Sequence, residues 1–122
     1  MTERERTELA SDAPYVLVER GDAVVVRFGE SVDHRREPWE KQLAGVVSRK
    51  LTVVWDLRQT EDIDSGWLRL LGALHDTGKR QGKRVFTLGM RPEIQASADV
   101  LGRKGRFEHI AKLTEAGLLE EP

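Results

Sequence analysis

The stretch TEDIDSGWLRLL, residues 60–71, is where side chains capable of chemistry crowd together. Glu61, Asp62 and Asp64 run into Ser65 and Gly66, and Asp56 closes the apolar run LTVVWDL just upstream. An aspartate or serine ahead of an amphipathic segment caps a helix: its oxygen accepts a hydrogen bond from a first-turn amide, worth about 1 kcal/mol. Either Asp64 or Ser65 fits that role. The same place suits a phosphate, because unpaired N–H groups and the helix dipole point at the anion, so Ser65 is also the phosphorylation candidate. A phosphate there would gain about 0.3–1 kcal/mol from the dipole, and Asp62 and Asp64 would each oppose it by a similar amount through solvent. Modification would then act by altering a partner surface rather than by refolding the domain. Asp62, Asp64, Gly66 and Trp67 are the partner-binding candidates. Trp67, a large aromatic in the first helical turn, could anchor a partner or pack into the core.

Other reactive residue types lack the company their chemistry needs. His34, His75 and His109 fall in a loop, a mid-helix and a late strand without ligand spacing, so no metal site is expected. GKRQGK (residues 78–83) lacks the spacing and the Ser/Thr of a phosphate-binding loop and follows a helix rather than a strand. No Gly-x-Ser-x-Gly elbow is present. Lys79, Arg80, Lys83 and Arg84, and separately Arg103, Lys104 and Arg106, could form basic patches, but no interleaved aromatics offer bases a stacking platform. The first group reads as a solvated, dipole-matched helix end. Neither an enzyme nor a cofactor is implied.

The elements that must position the acid cluster follow from hydrophobic periodicity. Residues 1–13 alternate acids and bases with almost no apolar pattern and read as a flexible tail; the domain is expected over 14–122. YVLVE (15–19) and AVVVRF (23–28) are β-branched runs joined through Arg20-Gly21-Asp22, a connection short enough to force an antiparallel hairpin. Trp39, Leu43, Val46 and Val47 recur at helical spacing behind Pro38. LTVVWDL (51–57) reads as a central strand buried on both faces. Trp67, Leu70, Leu71 and Leu74 mark a second helix whose last turns carry Lys79, Arg80 and Lys83, and RVFTLG (84–89) is another buried strand. Pro92 opens a third helix with Ile94, Ala98 and Leu101 as its inner stripe and Gly102 near its end. FEHI (107–110) is a short closing strand, and Leu113–Leu119 a last small helix. The alternation after the hairpin calls for right-handed crossovers and a mostly parallel sheet.

Composition narrows the function classes. At 122 residues, with 39% apolar residues rising to about 48% with the 11 glycines, the chain has the makings of one ordinary core. With 20 Lys and Arg against 21 Asp and Glu, the net charge of −1 gives no general pull toward nucleic acid or anionic membrane. Without cysteine there is no disulfide framework, thiolate nucleophile or Cys-type zinc site. No apolar run nears the length of a membrane span and the N-terminus has no apolar signal region, so no membrane insertion and a cytoplasmic location are expected.

The residues resemble two families. VVWDLR, a strand ending in Asp56, is similar to the phosphorylated strand end of response-regulator receivers, but the tight hairpin and the missing acidic pair after the first strand argue against that reading. VVWDLRQTEDIDSGWLRLLGAL, then GKRVFTLGMRPEIQASADVLG, then RFEHI, resembles the STAS family, the fold of bacterial anti-sigma factor antagonists, over roughly residues 14–118. The resemblance implies a mixed α/β sheet opening with an antiparallel hairpin, with helices mainly on one face and Asp56 as the motif acid. It implies regulation by protein–protein binding in a partner-switching system, with an anti-sigma factor that is also a serine kinase as partner. Aligned without a gap, Asp64-Ser65 match the family motif and Gly66 takes the phospho-acceptor place; with one residue deleted, Ser65-Gly66 becomes the acceptor pair. Both registers stand. In the first the domain is a scaffold, in the second a switch. STAS subunits of phospholipid-transport ATPase complexes and STAS domains beside anion transporters are the alternative class.

Overall fold

A computed structural model describes residues 13–33, 35–103 and 105–119. Apart from Ala13 the expected tail lies outside them, as do the last three residues of the expected domain. In chain order the elements are β1 (Tyr15–Arg20), β2 (Ala23–Phe28), β3 (Ser31–Val32), α1 (Glu37–Arg49), β4 (Thr52–Asp56), β5 (Asp62–Ile63), α2 (Ser65–Arg80), β6 (Arg84–Leu88), α3 (Pro92–Ala98) and β7 (His109–Ile110). The main sheet has the order β1-β2-β4-β6-β7. The hairpin is antiparallel, Tyr15 opposite Phe28 and Arg20 opposite Ala23, so Arg20 belongs to the strand and only Gly21 and Asp22 make the turn. Every later pairing in this sheet is parallel. A helix between the first two strands, which a receiver requires, is replaced by that turn.

Side-chain alternation sends each strand's residues to two cores. On one face Val24, Val26, Phe28, Val53, Trp55 and Val85 meet Leu43, Val46 and Val47 of α1 and Trp67 and Leu71 of α2. Among the described residues, the other face, Val25, Val54, Phe86, Leu88 and Ile110, is covered by the turn Leu113–Ala116 and part-buried Leu118. Helices thus crowd one face, as expected. All five residues of β4 are buried, which explains why its sequence is a continuous apolar run rather than an alternating one.

Several boundaries differ from the periodicity. Leu51 is 60% exposed and precedes the strand it was expected to open. Leu57 is past the strand end but fully buried, its amide donating to the Leu88 carbonyl at 2.8 Å. The third helix stays α-helical only to Ala98, and the chain over Asp99–Arg103 then kinks at Gly102, which takes a left-handed φ of 82. FEHI contributes only His109 and Ile110 to the sheet. The last helix is a single 3₁₀ turn, Leu113–Ala116, ended by Gly117 at φ 79, a left-handed conformation glycine adopts without steric cost. Lys83 is beyond α2 altogether: its ammonium donates to the carbonyls of Ser48 (3.0 Å) and Lys50 (2.7 Å), so its charge serves the C-terminus of α1. The parallel pair β3–β5, Ser31 opposite Asp62 and Val32 opposite Ile63, was not anticipated, because two-residue strands carry no periodicity.

Candidate functional site

The acid-rich stretch occupies the rim where the parallel strands end. Asp56, the last residue of β4, is 1% exposed. Its Oδ1 accepts from the Arg58 amide (3.1 Å) and Nε (3.0 Å), and its Oδ2 accepts from Arg58 Nη2 (2.8 Å) and, at longer range, Arg27 Nε (3.4 Å). Burial pushes this carboxyl up, but the hydrogen bonds and charge of Arg58, with Arg27 behind them, outweigh burial and hold it below the ordinary carboxylate range. Both oxygens are committed, so Asp56 is a buried anchor for the loop that follows. Gly89 makes room for that loop: at φ +72 it sits where a Cβ would come within 2.9 Å of the Arg58 Cα.

Beyond the anchor the chain is stitched to the segment after β2. Thr60, fully buried, donates its hydroxyl to the Gly29 carbonyl at 2.9 Å. The amides of Glu61 and Asp62 donate to the Glu30 carbonyl at 2.8 and 3.1 Å, and that of Asp64 to the Val32 carbonyl at 2.9 Å. This ladder, the β3–β5 pair, turns the side chains of Glu61 and Asp62 to solvent, with Glu61 3.9 Å from Arg91.

The choice of cap is resolved at the start of α2. Asp64, at φ −74 and ψ 154, accepts the Trp67 amide on Oδ1 at 3.1 Å, and its carbonyl accepts the Leu68 amide. Ser65 is therefore the first helical residue, exposed, with its hydroxyl at the rim. Trp67 takes the core alternative and is not a surface anchor. It is fully buried and meets Phe28 edge-on at 6.2 Å, because the period that turns Ser65 outward turns the residue two places later toward the sheet.

Arg36 is the rim residue that sequence reasoning missed. Its guanidinium lies 4.0 Å from Asp64 and 3.6 Å from Glu40 and roofs the first turn of α2. A Cβ on Gly66 would stand 1.9 Å from Arg36 Nη1, so any side chain at 66 requires the arginine to swing away. Nothing in a separation of thirty residues marks that contact. The Asp56–Arg58 pair was more accessible, since a charge two places beyond a strand-end acid can fold back on it.

The remaining candidates are dispersed. His34 lies outside the described residues. His75 is buried against Phe107 (5.0 Å, edge-on) and accepts the Glu108 amide on Nε2 at 3.4 Å, while His109 pairs with Thr87. Among the described residues no group of His, Cys, Asp and Glu could hold a metal ion. Lys79 pairs with Glu108, and Arg106 with Asp76 at 3.2 Å, which divides the basic residues among acids rather than gathering them. Lys104 lies outside the described residues. No described helix is long and apolar enough to cross a membrane.

A profile of the STAS domain family matches residues 15–116. Among solved structures, the anti-sigma factor antagonist SpoIIAA in its unphosphorylated form aligns with TM-score 0.70 and 15% identity, covering 87% of this chain and 99% of that one. Moorella thermoacetica RsbS, in a serine-to-glutamate variant, aligns with TM-score 0.70 and 17% identity over 84% of this chain and 90% of its own. An anti-sigma factor antagonist from Mycobacterium paratuberculosis aligns with TM-score 0.65 and 21% identity over 84% and 88%. At these identities the likeness is one of fold. No curated protein sequence matches the chain.

Proposed function

Starting from a chain that belongs to the STAS domain family, we propose that it works in the cytoplasm by protein–protein binding, as an anti-sigma factor antagonist or a related partner-switching component, with Ser65 as the switch residue. The observation that carries the reading is the geometry of the first turn of α2. Asp64 performs the capping, which leaves the Ser65 hydroxyl exposed at the rim and not required by the fold. Asp62, Asp64 and Gly66 flank it as the partner surface. A phosphate on Ser65 would meet the helix dipole and the neighbouring Arg36 guanidinium, offsetting Asp62 and Asp64. Its effect falls on the partner, which would have to desolvate the added charge at a cost of several kcal/mol.

The test uses the full chain and a kinase-type anti-sigma factor captured from the native cell. Ser65→Asp is expected to stay folded and lose binding, and Ser65→Ala to bind as the parent does while no longer taking up phosphate. If both variants bind like the parent and the parent gains no phosphate mass on incubation with the kinase, the switch at Ser65 is refuted and the scaffold register, with Gly66 in the acceptor place, stands. Co-purification of a transport-ATPase subunit in place of an anti-sigma factor would refute the partner class.

A further inference from the structure

Among the described residues the sheet has one long open edge, β1. The Gly29 amide donates to the Pro14 carbonyl at 3.0 Å. Together with the register, this means Pro14, Val16, Val18 and Arg20 aim their backbone groups at β2. Tyr15, Leu17 and Glu19 therefore aim their N–H and C=O groups away from the sheet. An exposed row of that kind is a template for another strand, and proteins guard such edges with bulges, prolines, inward charges or short length. Here the six residues pair one-to-one with β2 without a bulge and hold neither proline nor lysine. The two charges at the far end are already engaged: Glu19 with Lys50 at 2.9 Å, and Arg20 with the Leu119 carbonyl at 2.6 Å. Both cores also stop short at this edge. Leu17 on one face and Val18 on the other are only part-buried, and Val16 is 52% exposed.

We propose that the open edge of β1 pairs with β1 of a second copy of this chain, antiparallel about a two-fold axis through Leu17, joining the two sheets into one. The sequence of the strand selects both occupant and register. A two-fold axis normal to the sheet keeps each residue on the same face in both copies, so cross-strand partners must both be odd-numbered or both even-numbered, and the axis falls on a residue. With the axis on Leu17, Leu17 faces Leu17, Val16 faces Val18 and Tyr15 faces Glu19. Apolar residues meet apolar ones and no like charges are opposed. The three residues with outward backbone groups then face one another, giving three hydrogen-bonded pairs. An axis on Val18 sets Glu19 against Leu17 and Arg20 against Val16. An axis on Val16 pairs Glu19 with Ala13, which lies before the start of the strand, and so shortens the ladder. Pairing through Leu17 completes the burial of Leu17, Val16 and Val18, which neither face of the single chain achieves.

Sedimentation of the full chain from micromolar to millimolar concentration is expected to show the mass doubling. Leu17→Pro removes an amide that points out of the molecule, and Val16→Lys places a charge on the open edge. Both variants are expected to stay monomeric across that range with the parent's circular dichroism, and their melting temperatures, unlike the parent's, not to rise with protein concentration. The chain has no native cysteine, so register is read by single-cysteine variants: Leu17→Cys is expected to give a disulfide-linked dimer on mild oxidation, and Glu19→Cys, remote from its own copy in this register, is not. A parent that stays monomeric throughout overturns the proposal, as does a dimer that survives both edge variants. Cross-linking of Glu19→Cys but not Leu17→Cys overturns the register. If deleting residues 2–12 is needed before the dimer forms, the preceding segment of the same chain holds the edge and a second copy does not.

Discussion

Replacing Asp56 by Asn tests whether this buried acid anchors the rim. The substitution keeps the shape, and Oδ1 can still accept the Arg58 amide and Nε. The amide group, however, then stands where Oδ2 accepts Arg58 Nη2 at 2.8 Å and Arg27 Nε at 3.4 Å. The 3.4 Å contact is long and contributes little; the 2.8 Å one is a charge-assisted bond of about 1.5–3 kcal/mol. Because the Arg58 side chain is 41% exposed, its freed end can turn to water, which keeps the loss to about 2 kcal/mol rather than the 3–5 kcal/mol of a fully buried broken pair. Asp56→Ala, which strands the Arg58 amide as well, is expected to cost about 3–4 kcal/mol. Urea unfolding followed by circular dichroism measures both, with the slope expected to match the parent's. The pH dependence has a definite sign. The folded carboxyl is held below its ordinary value, so the unfolded chain binds the proton more readily. The stability due to Asp56 is therefore complete above the unfolded value of about 3.9 and is lost as pH falls through the lowered folded value. Asp56→Asn should remove that acid-side loss. A cost below about 0.5 kcal/mol, or an acid limb that superimposes on the parent's, refutes the anchoring argument.

Further substitutions probe the start of α2 and the approach to Arg58. Trp67→Ala is expected to cost about 3–5 kcal/mol, because the ring is wholly buried against Phe28, whereas Ser65→Ala should stay within about 0.5 kcal/mol; equal costs from denaturant titration would place Trp67 at the surface. Asp64→Ala should lower stability by about 1 kcal/mol through loss of the bond to the Trp67 amide, and a neutral result would transfer the cap to Ser65. Gly89→Ala combines a left-handed conformation with a Cβ 2.9 Å from the Arg58 Cα, so thermal unfolding should show a loss of about 2 kcal/mol or more; an unchanged melting temperature would mean the loop yields without cost.

What was legible in the sequence is what neighbours along the chain determine. The hairpin followed from a link too short for a crossover, the burial of β4 on both faces from an unbroken apolar run, and the helices from the return of Leu43, Val46 and Val47, or of Trp67 and Leu71, at helical spacing. That a cap lies at Asp64 or Ser65 was equally local. Tertiary structure alone decided which of the two holds the amide, that Trp67 faces inward, that β3 and β5 pair, and that Lys83 serves the end of α1 rather than α2. It also set Arg36 over Gly66 and brought Arg27 to Asp56. The division has a physical cause. Periodicity reports which side of an element avoids water, whereas a polar contact depends on where two distant backbones bring their side chains within about 3 Å, and no spacing along one chain encodes that distance.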